Sequence, residues 1–176
     1  MVACGDADGA VTGNTRRFGA SLDKIKQVVK ARPGEIMFGL NLVVHKGKTI
    51  FVGDTSVNEY PNAKQLSEIA ISAARVVKLF GFDPRIAFVS HSTFGQPLTS
   101  RTKHIKEAVE ILKDKKVNFK FDGDMQPDVA LDEEYKSLYP FSDIVGNANV
   151  LIMPGQHSAA ISYKMMKSFG DSKVIG

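Results

Sequence analysis

Tryptophan is missing from this chain of 176 residues, and cysteine occurs once, at Cys4. A lone cysteine cannot close an internal disulfide, which fits a reducing cytoplasm. No apolar run approaches the ~20 residues that a membrane-spanning helix needs. The opening Met-Val-Ala-Cys-Gly-Asp lacks the basic and apolar regions of a secretory leader, so none is expected. A large charge excess is missing too: 23 Lys and Arg against 19 Asp and Glu leave a formal net charge of +4. There is no Arg-rich stripe, and the 11 Phe are scattered through apolar runs. This balance argues against a nucleic-acid partner while permitting an anionic ligand. The chain has 43% apolar and 24% charged residues, an ordinary globular composition with enough apolar material for one core.

Periodicity divides the chain into alternating elements. Gly5 to Gly13 is too rich in glycine and aspartate for regular structure. Phe18, Leu22, Ile25, Val28 and Val29 recur at helical spacing, predicting a helix over Thr15–Ala31 that Pro33-Gly34 stops. Ile36–His45 and Thr49–Gly53 read as strands of a hairpin turned at Lys46-Gly47-Lys48. Asn62 suits the N-cap of the strongest helix, whose stripe runs through Leu66, Ile69, Ala70, Ala73, Ala74, Val77 and Phe80. Gly81 then fits a left-handed C-terminal position. So much alanine implies close packing on a sheet or partner helix. Further units follow: strand Ile86–Ser90 and helix Thr102–Lys115, strand Phe119–Phe121 and a short helix near Asp132–Leu138, then strand Val150–Met153 and helix Ser158–Phe169. Val174 and Ile175 begin one more strand. The pattern implies a single α/β domain over residues 1–176, with a mixed, mostly parallel sheet.

Ligands of open α/β sheets bind beyond the carboxyl ends of the strands. Polar loops are expected there at Asp54-Thr55-Ser56, Ser90 to Gly95, Asp122 to Gln126 and Pro154 to Ser158. Backbone N–H groups of the opening loop could form an anion-binding nest. That loop matches neither Gly-x-x-x-x-Gly-Lys-Ser/Thr nor Gly-x-Gly-x-x-Gly, so nucleotide binding through those motifs is unsupported. Ser90-His91-Ser92 places hydroxyls beside an imidazole, but adjacent residues rarely face each other, which disfavours a Ser–His catalytic pair. Asp122, Asp124 and Asp128, even joined by Asp6 and Asp8, lack EF-hand spacing and read as turn and helix caps, so no metal site is expected. Ser158 reads as an N-cap, although a helix start there also suits a phosphate. Cationic partners for such an anion would be Arg16, Arg17, Arg85 or Arg101.

Several stretches resemble the phosphate acetyl/butyryl transferase family in order along the chain. They are Gly5-Asp6-Ala7-Asp8-Gly9 through Gly13, Asn62 to Ala70, Pro84 to Ser90 with Ser92-Thr93, Asp122-Gly123-Asp124-Met125-Gln126-Pro127-Asp128, and Asn149 to Pro154 with His157-Ser158. Ser92-Thr93-Phe94-Gly95, Met125 to Asp128, Leu138 to Ser142 and His157-Ser158-Ala159 are similar to the phosphotransacetylase-like C-terminal domain of bacterial NADP-dependent malic enzymes.

The resemblance implies a three-layer α/β/α fold of the isocitrate/isopropylmalate dehydrogenase kind. It further implies that the chain is the second subdomain of a phosphotransacetylase-like region, cut at both ends and not catalytically complete. The implied role is regulatory, with acetyl-CoA as ligand and no cofactor in this piece. NADP and a divalent metal belong to a separate malic domain. Contacts with acetyl-CoA or phosphate are expected from Asp6, Asp8, Thr12, Ser92, Thr93, Asp124, Gln126, His157 and Ser158, none of them as nucleophile or base. Partners are the parent chain and a homo-oligomer. Two alternatives stand beside this: a fragment of a working phosphate acyltransferase, or a dimerisation module built on the alanine-rich helix.

Overall fold

The computed structural model describes residues 1–13, 15–170 and 173–175, without the side chain of Arg101. The chain forms two compact units, Met1–Glu35 and Ile36–Gly176. In the first, a turn of 3-10 helix at Val2–Cys4 leads through irregular chain to helix α1, Phe18–Val28. The helix is shorter than its apolar spacing suggests, because Val29 already has extended dihedrals. Asp6, Asp8 and Thr12 lie in the irregular stretch, exposed to solvent.

The second unit holds a six-stranded sheet. Its strands are β1 (Leu40–His45), β2 (Lys48–Gly53), β3 (Arg85–Val89), β4 (Lys120–Met125), β5 (Val150–Ile152) and β6 (Lys173–Ile175). The order across the sheet is β4-β3-β5-β2-β1-β6. Strands β4, β3, β5 and β2 run parallel, while β1 is antiparallel to both β2 and β6. The mixed, mostly parallel sheet is thus as expected. The hairpin turn places Lys46 and Gly47 at φ 47 and 77, and two positive values suit the right-handed twist of the flanking strands.

Helices α2 (Ala63–Leu79), α3 (Ser100–Asp114), α4 (Pro127–Leu131), α5 (Glu133–Ser137) and α6 (Gln156–Phe169) complete the unit. Alternation along the strands sorts the core into two faces. Phe51, Ile86, Phe88, Val150 and Ile152 pack with α2 and α3, whereas Val52, Ala87, Val89, Leu151 and Met153 pack with α4 and Ala159 of α6. Ala70 and Ala73 of α2 are 0% exposed, so the stripe that suggested a dimer surface is already covered within the chain. Asn62 and Gln65 form a reciprocal capping box at the start of this helix, and Gly81 at φ 82 ends it.

Three expectations need correction. Asp122-Gly123-Asp124-Met125 is strand rather than loop, since Asp122 and Gly123 pair with Ala87 and Phe88. The register then passes from Phe88↔Gly123 to Val89↔Met125, leaving Asp124 as the extra residue of a bulge. Strand β1 starts at Leu40, because its partner β2 ends opposite it at Gly53. Helix α6 starts at Gln156 with Gly155 as its cap, so Ser158 lies inside the first turn and donates to the Gly155 carbonyl at 2.8 Å. The short helix α4 was not foreseen, although Pro127 occupies its first turn, a position where proline loses no hydrogen bond.

Candidate functional site

The carboxyl ends of β2, β5, β3 and β4 lie side by side, at Gly53, Ile152, Val89 and Met125. Their loops therefore emerge along one edge, in two interlocked pairs. The peptide bonds Gly53–Asp54 and Gly123–Asp124, one in each pair, are both cis.

The first pair is organised by Asp54, 1% exposed. Its Oδ1 accepts from the backbone N–H of Gly39 at 2.7 Å, Ser56 at 2.9 Å and Val57 at 3.1 Å. Its Oδ2 accepts from the N–H of Asn58 at 2.7 Å and from the Asn58 side-chain amide. Five donors around one buried carboxylate compensate its desolvation and fix the loop. That loop is then bolted to the start of α6. The N–H of Gln156 donates to the Asn58 carbonyl at 3.2 Å. A Cβ on Gly155 would fall 2.4 Å from the Glu59 carbonyl oxygen, so only glycine allows the two backbones this close. His157 Nε2 lies 3.0 Å from Glu59 Oε1, and the ring of Tyr60 stacks over the imidazole with centroids 6.0 Å apart. His157 is exposed and Ser158 half-buried.

The second pair joins the loop after β3 to the end of β4. Ser92 and Asp124 are both 0% exposed, and the Ser92 hydroxyl donates to Asp124 Oδ2. Ser90 Oγ lies 3.2 Å from Ser92 Oγ and 3.5 Å from His91 Nδ1. The single proton of the Ser92 hydroxyl can go to Asp124 or to Ser90 but not to both. The Ser90–His91 separation of 3.5 Å is longer than the about 2.6–3.2 Å of an activated Ser–His nucleophile. The N–H of Gln126 donates to Thr93 Oγ1 at 3.2 Å, and Gln126 Nε2 donates to the His91 carbonyl at 2.9 Å. Phe94 packs against Tyr139 and Phe141, with centroids 5.4 and 4.7 Å away. Asp124 Oδ1 is buried without a hydrogen-bond partner among the described residues.

Six of the nine expected contact residues thus share this edge. Thr93, Gln126, His157 and Ser158 keep surface there, while the buried Ser92 and Asp124 position the loop around them. Asp6, Asp8 and Thr12 belong to the other unit. A cavity of ≈ 320 Å³ opens at the same edge, between Tyr60, Asn62, Ser100, His104 and Pro154.

Sequence reasoning missed the cation nearest the loop. A Cβ on Gly95 would fall 2.0 Å from Lys106 Nζ, so this half-buried ammonium lies against the Ser92–Gly95 segment. Lys106 has no ion pair among the described residues. A lysine on a helix facing a left-handed glycine (Gly95, φ 85) leaves no motif in the sequence. Arg85, by contrast, starts β3 and so lies at the opposite edge of the sheet. The side chain of Arg101 lies outside the described residues. No group of three or more His, Cys, Asp or Glu among the described residues could hold a metal ion. Asp122 instead accepts from Ser142 Oγ at 2.7 Å and from the N–H of Asp143 at 2.9 Å.

The sequence profile of the phosphate acetyl/butaryl transferase family matches residues 1–176. The chain is 43% identical over 176 residues to the NADP-dependent malic enzyme of Rhizobium meliloti, covering 100% of this chain and 23% of that protein. With the phosphate acetyltransferase of Buchnera aphidicola it shares 33% identity over 178 residues, covering 100% of this chain and 25% of the relative. A phosphotransacetylase from Streptococcus pyogenes superposes with a TM-score of 0.89 at 30% identity, over 99% of this chain and 54% of that one. The chain therefore spans about a quarter of the length of these curated relatives.

Proposed function

Because the chain belongs to the phosphate acetyl/butaryl transferase family, we propose that it is a regulatory, acetyl-CoA-binding domain of an NADP-dependent malic enzyme. In this reading the chain is the second subdomain of a phosphotransacetylase-like region with an isocitrate dehydrogenase-like fold. It supplies one wall of the ligand cleft, in a cytoplasmic, oligomeric parent. Malate oxidation, with NADP and a divalent metal, belongs to a separate malic domain.

The observation that carries this reading is the higher identity to a malic enzyme, 43% against 33% for a phosphate acetyltransferase, across the whole chain. The geometry of the edge agrees with binding rather than catalysis. Thr93, Gln126 and Ser158 offer neutral hydrogen-bonding groups, and Lys106 offers a positive charge for a phosphate or acyl phosphate group. The serine beside the one neighbouring imidazole lies 3.5 Å from it, longer than the reach of an activated Ser–His pair. Binding regulates the parent only by the amount that acetyl-CoA prefers one state of it over another.

A second reading, half of an active acyltransferase, is favoured by the close superposition on a solved phosphotransacetylase. In that reaction the thiol of coenzyme A attacks the carbonyl carbon of an acyl phosphate. The new C–S bond replaces the C–O bond to phosphate, which leaves as the thiol proton is taken up. Calorimetric titration with acetyl-CoA, free coenzyme A and acetyl phosphate tests the main reading. Saturable binding of acetyl-CoA is expected, and its absence up to millimolar ligand contradicts a site on these loops. Acetyl phosphate formed by the parent from acetyl-CoA and phosphate would favour the acyltransferase instead.

A further inference from the structure

A cavity of ≈ 1030 Å³ opens at the amino edge of the parallel strands, opposite the loops described above. Among the described residues, Arg85, Lys46 and Lys48 line it with a single carboxylate, Glu133. Arg85 is half-buried, and its Nε donates to the Asn147 carbonyl at 2.7 Å. That bond fixes the guanidinium plane, yet the two terminal amino groups have no acceptor among the described residues. Anchored in this way, they present the planar fork that binds carboxylate or phosphate through two parallel bonds.

Asn147 supplies a second unmet requirement. Its side-chain Oδ1 is buried without a hydrogen-bond partner, and Asn147 lines the same cavity. The neighbouring Asn149 shows the contrast: its Oδ1 accepts from the Arg85 N–H at 2.8 Å and its Nδ2 donates to the Asp83 carbonyl at 2.8 Å. A buried acceptor left unsatisfied is uncommon in a folded chain, and turning the Asn147 side chain toward the cavity would pair it with a ligand donor. Phe82 and Phe169 add flat apolar wall, and the volume is that of a site for a ligand of nucleotide size.

The geometry points to a second ligand site at the amino edge, which takes a nucleotide-sized organic anion through Arg85 and Lys48 and receives a donor group at Asn147. The site is independent of the acetyl-CoA reading. Adenosine 5′-monophosphate combines the required groups, with a phosphate for the fork, an amino group for Asn147 and a flat ring for the phenylalanines.

Calorimetric titration of the chain with adenosine 5′-monophosphate, and with inorganic phosphate and adenosine as separate arms, tests it. Saturable binding by the nucleotide is expected, weakened about tenfold by Arg85→Lys, which keeps the charge but removes the fork. Asn147→Ala should weaken binding while leaving the melting temperature unchanged or raised, because it deletes an unsatisfied buried acceptor. Failure of the nucleotide to bind at millimolar concentration would overturn the proposal. So would binding indifferent to both variants, or phosphate binding as tightly as the nucleotide and unaffected by Asn147→Ala.

Discussion

The two edges of the sheet satisfy their polar groups to different degrees. At the carboxyl edge, one buried carboxylate gathers five donors and another is held by a serine through one oxygen, its Oδ1 left without a partner among the described residues. At the amino edge, the terminal amino groups of an anchored guanidinium and a buried amide oxygen have no partner among the described residues. The difference teaches that order and readiness for a ligand are separate properties. The carboxyl edge is shaped first and presents only what its internal bonds leave over. The amino edge presents groups that the fold itself does not satisfy.

The sharpest way to break this comparison is to remove the hub of the carboxyl edge. Asp54→Ala would strand several buried N–H groups and should cost about 3–5 kcal/mol in urea unfolding, since each stranded buried donor costs about 1–3 kcal/mol. A loss below about 1 kcal/mol would show that solvent already reaches this loop. Next comes Gly155→Ala, which forces the backbone of α6 away from Glu59 and should cost about 1–3 kcal/mol. The same variant should also disturb the amide resonances of residues 56 to 59, and an undisturbed loop would refute the bolt between the two segments.

Ser92→Ala leaves the Asp124 carboxylate buried without its donor and should cost about 1.5–3 kcal/mol, read by thermal or urea unfolding. Asp124→Asn in the same background should recover part of that loss, because an amide needs less compensation than a carboxylate.

Lys136 gives the smallest effect and a sign that can be checked. It is 8% exposed, donates from Nζ to Ser142 Oγ at 2.7 Å, and burial lowers its pKa while Asp122 opposes that shift. In the window between the lowered folded value and the ordinary 10.5 of the unfolded chain, the unfolded state binds more protons. The lysine's contribution to stability therefore rises with pH across that window and is least favourable below it, where both states are charged. Lys136→Met should lie within about 1 kcal/mol of the parent at neutral pH. The difference between the two should move toward the parent as pH climbs toward 10.5, and the opposite drift would refute the burial argument.

Much of this architecture is legible in the sequence. The Lys46-Gly47 hairpin, the Asn62 cap and the alanine stripe of α2 are local patterns, and local rules reproduce them. Three loops of the carboxyl edge, after β2, β3 and β5, could be named because strand alternation and loop polarity mark them. The bulge at Asp124 was not legible, since a short run of Asp, Gly and Asp reads as a turn until the neighbouring strand β3 pairs with it. The start of α6 at Gly155 likewise depends on a contact with Glu59, 96 residues earlier by number. Lys106 over Gly95 and the unpaired fork of Arg85 are tertiary facts with no sequence period behind them. The resemblance located the edge, and only the coordinates separated residues with surface, such as Gln126, from buried positioning residues such as Ser92.

The most direct test of the central claim is to follow backbone amide shifts of the chain as acetyl-CoA is added. The account predicts saturable shifts concentrated at Thr93, Asp124, Gln126, His157 and Ser158. Shifts confined to Arg85, Asn147 and their neighbours, or none at all, would contradict it.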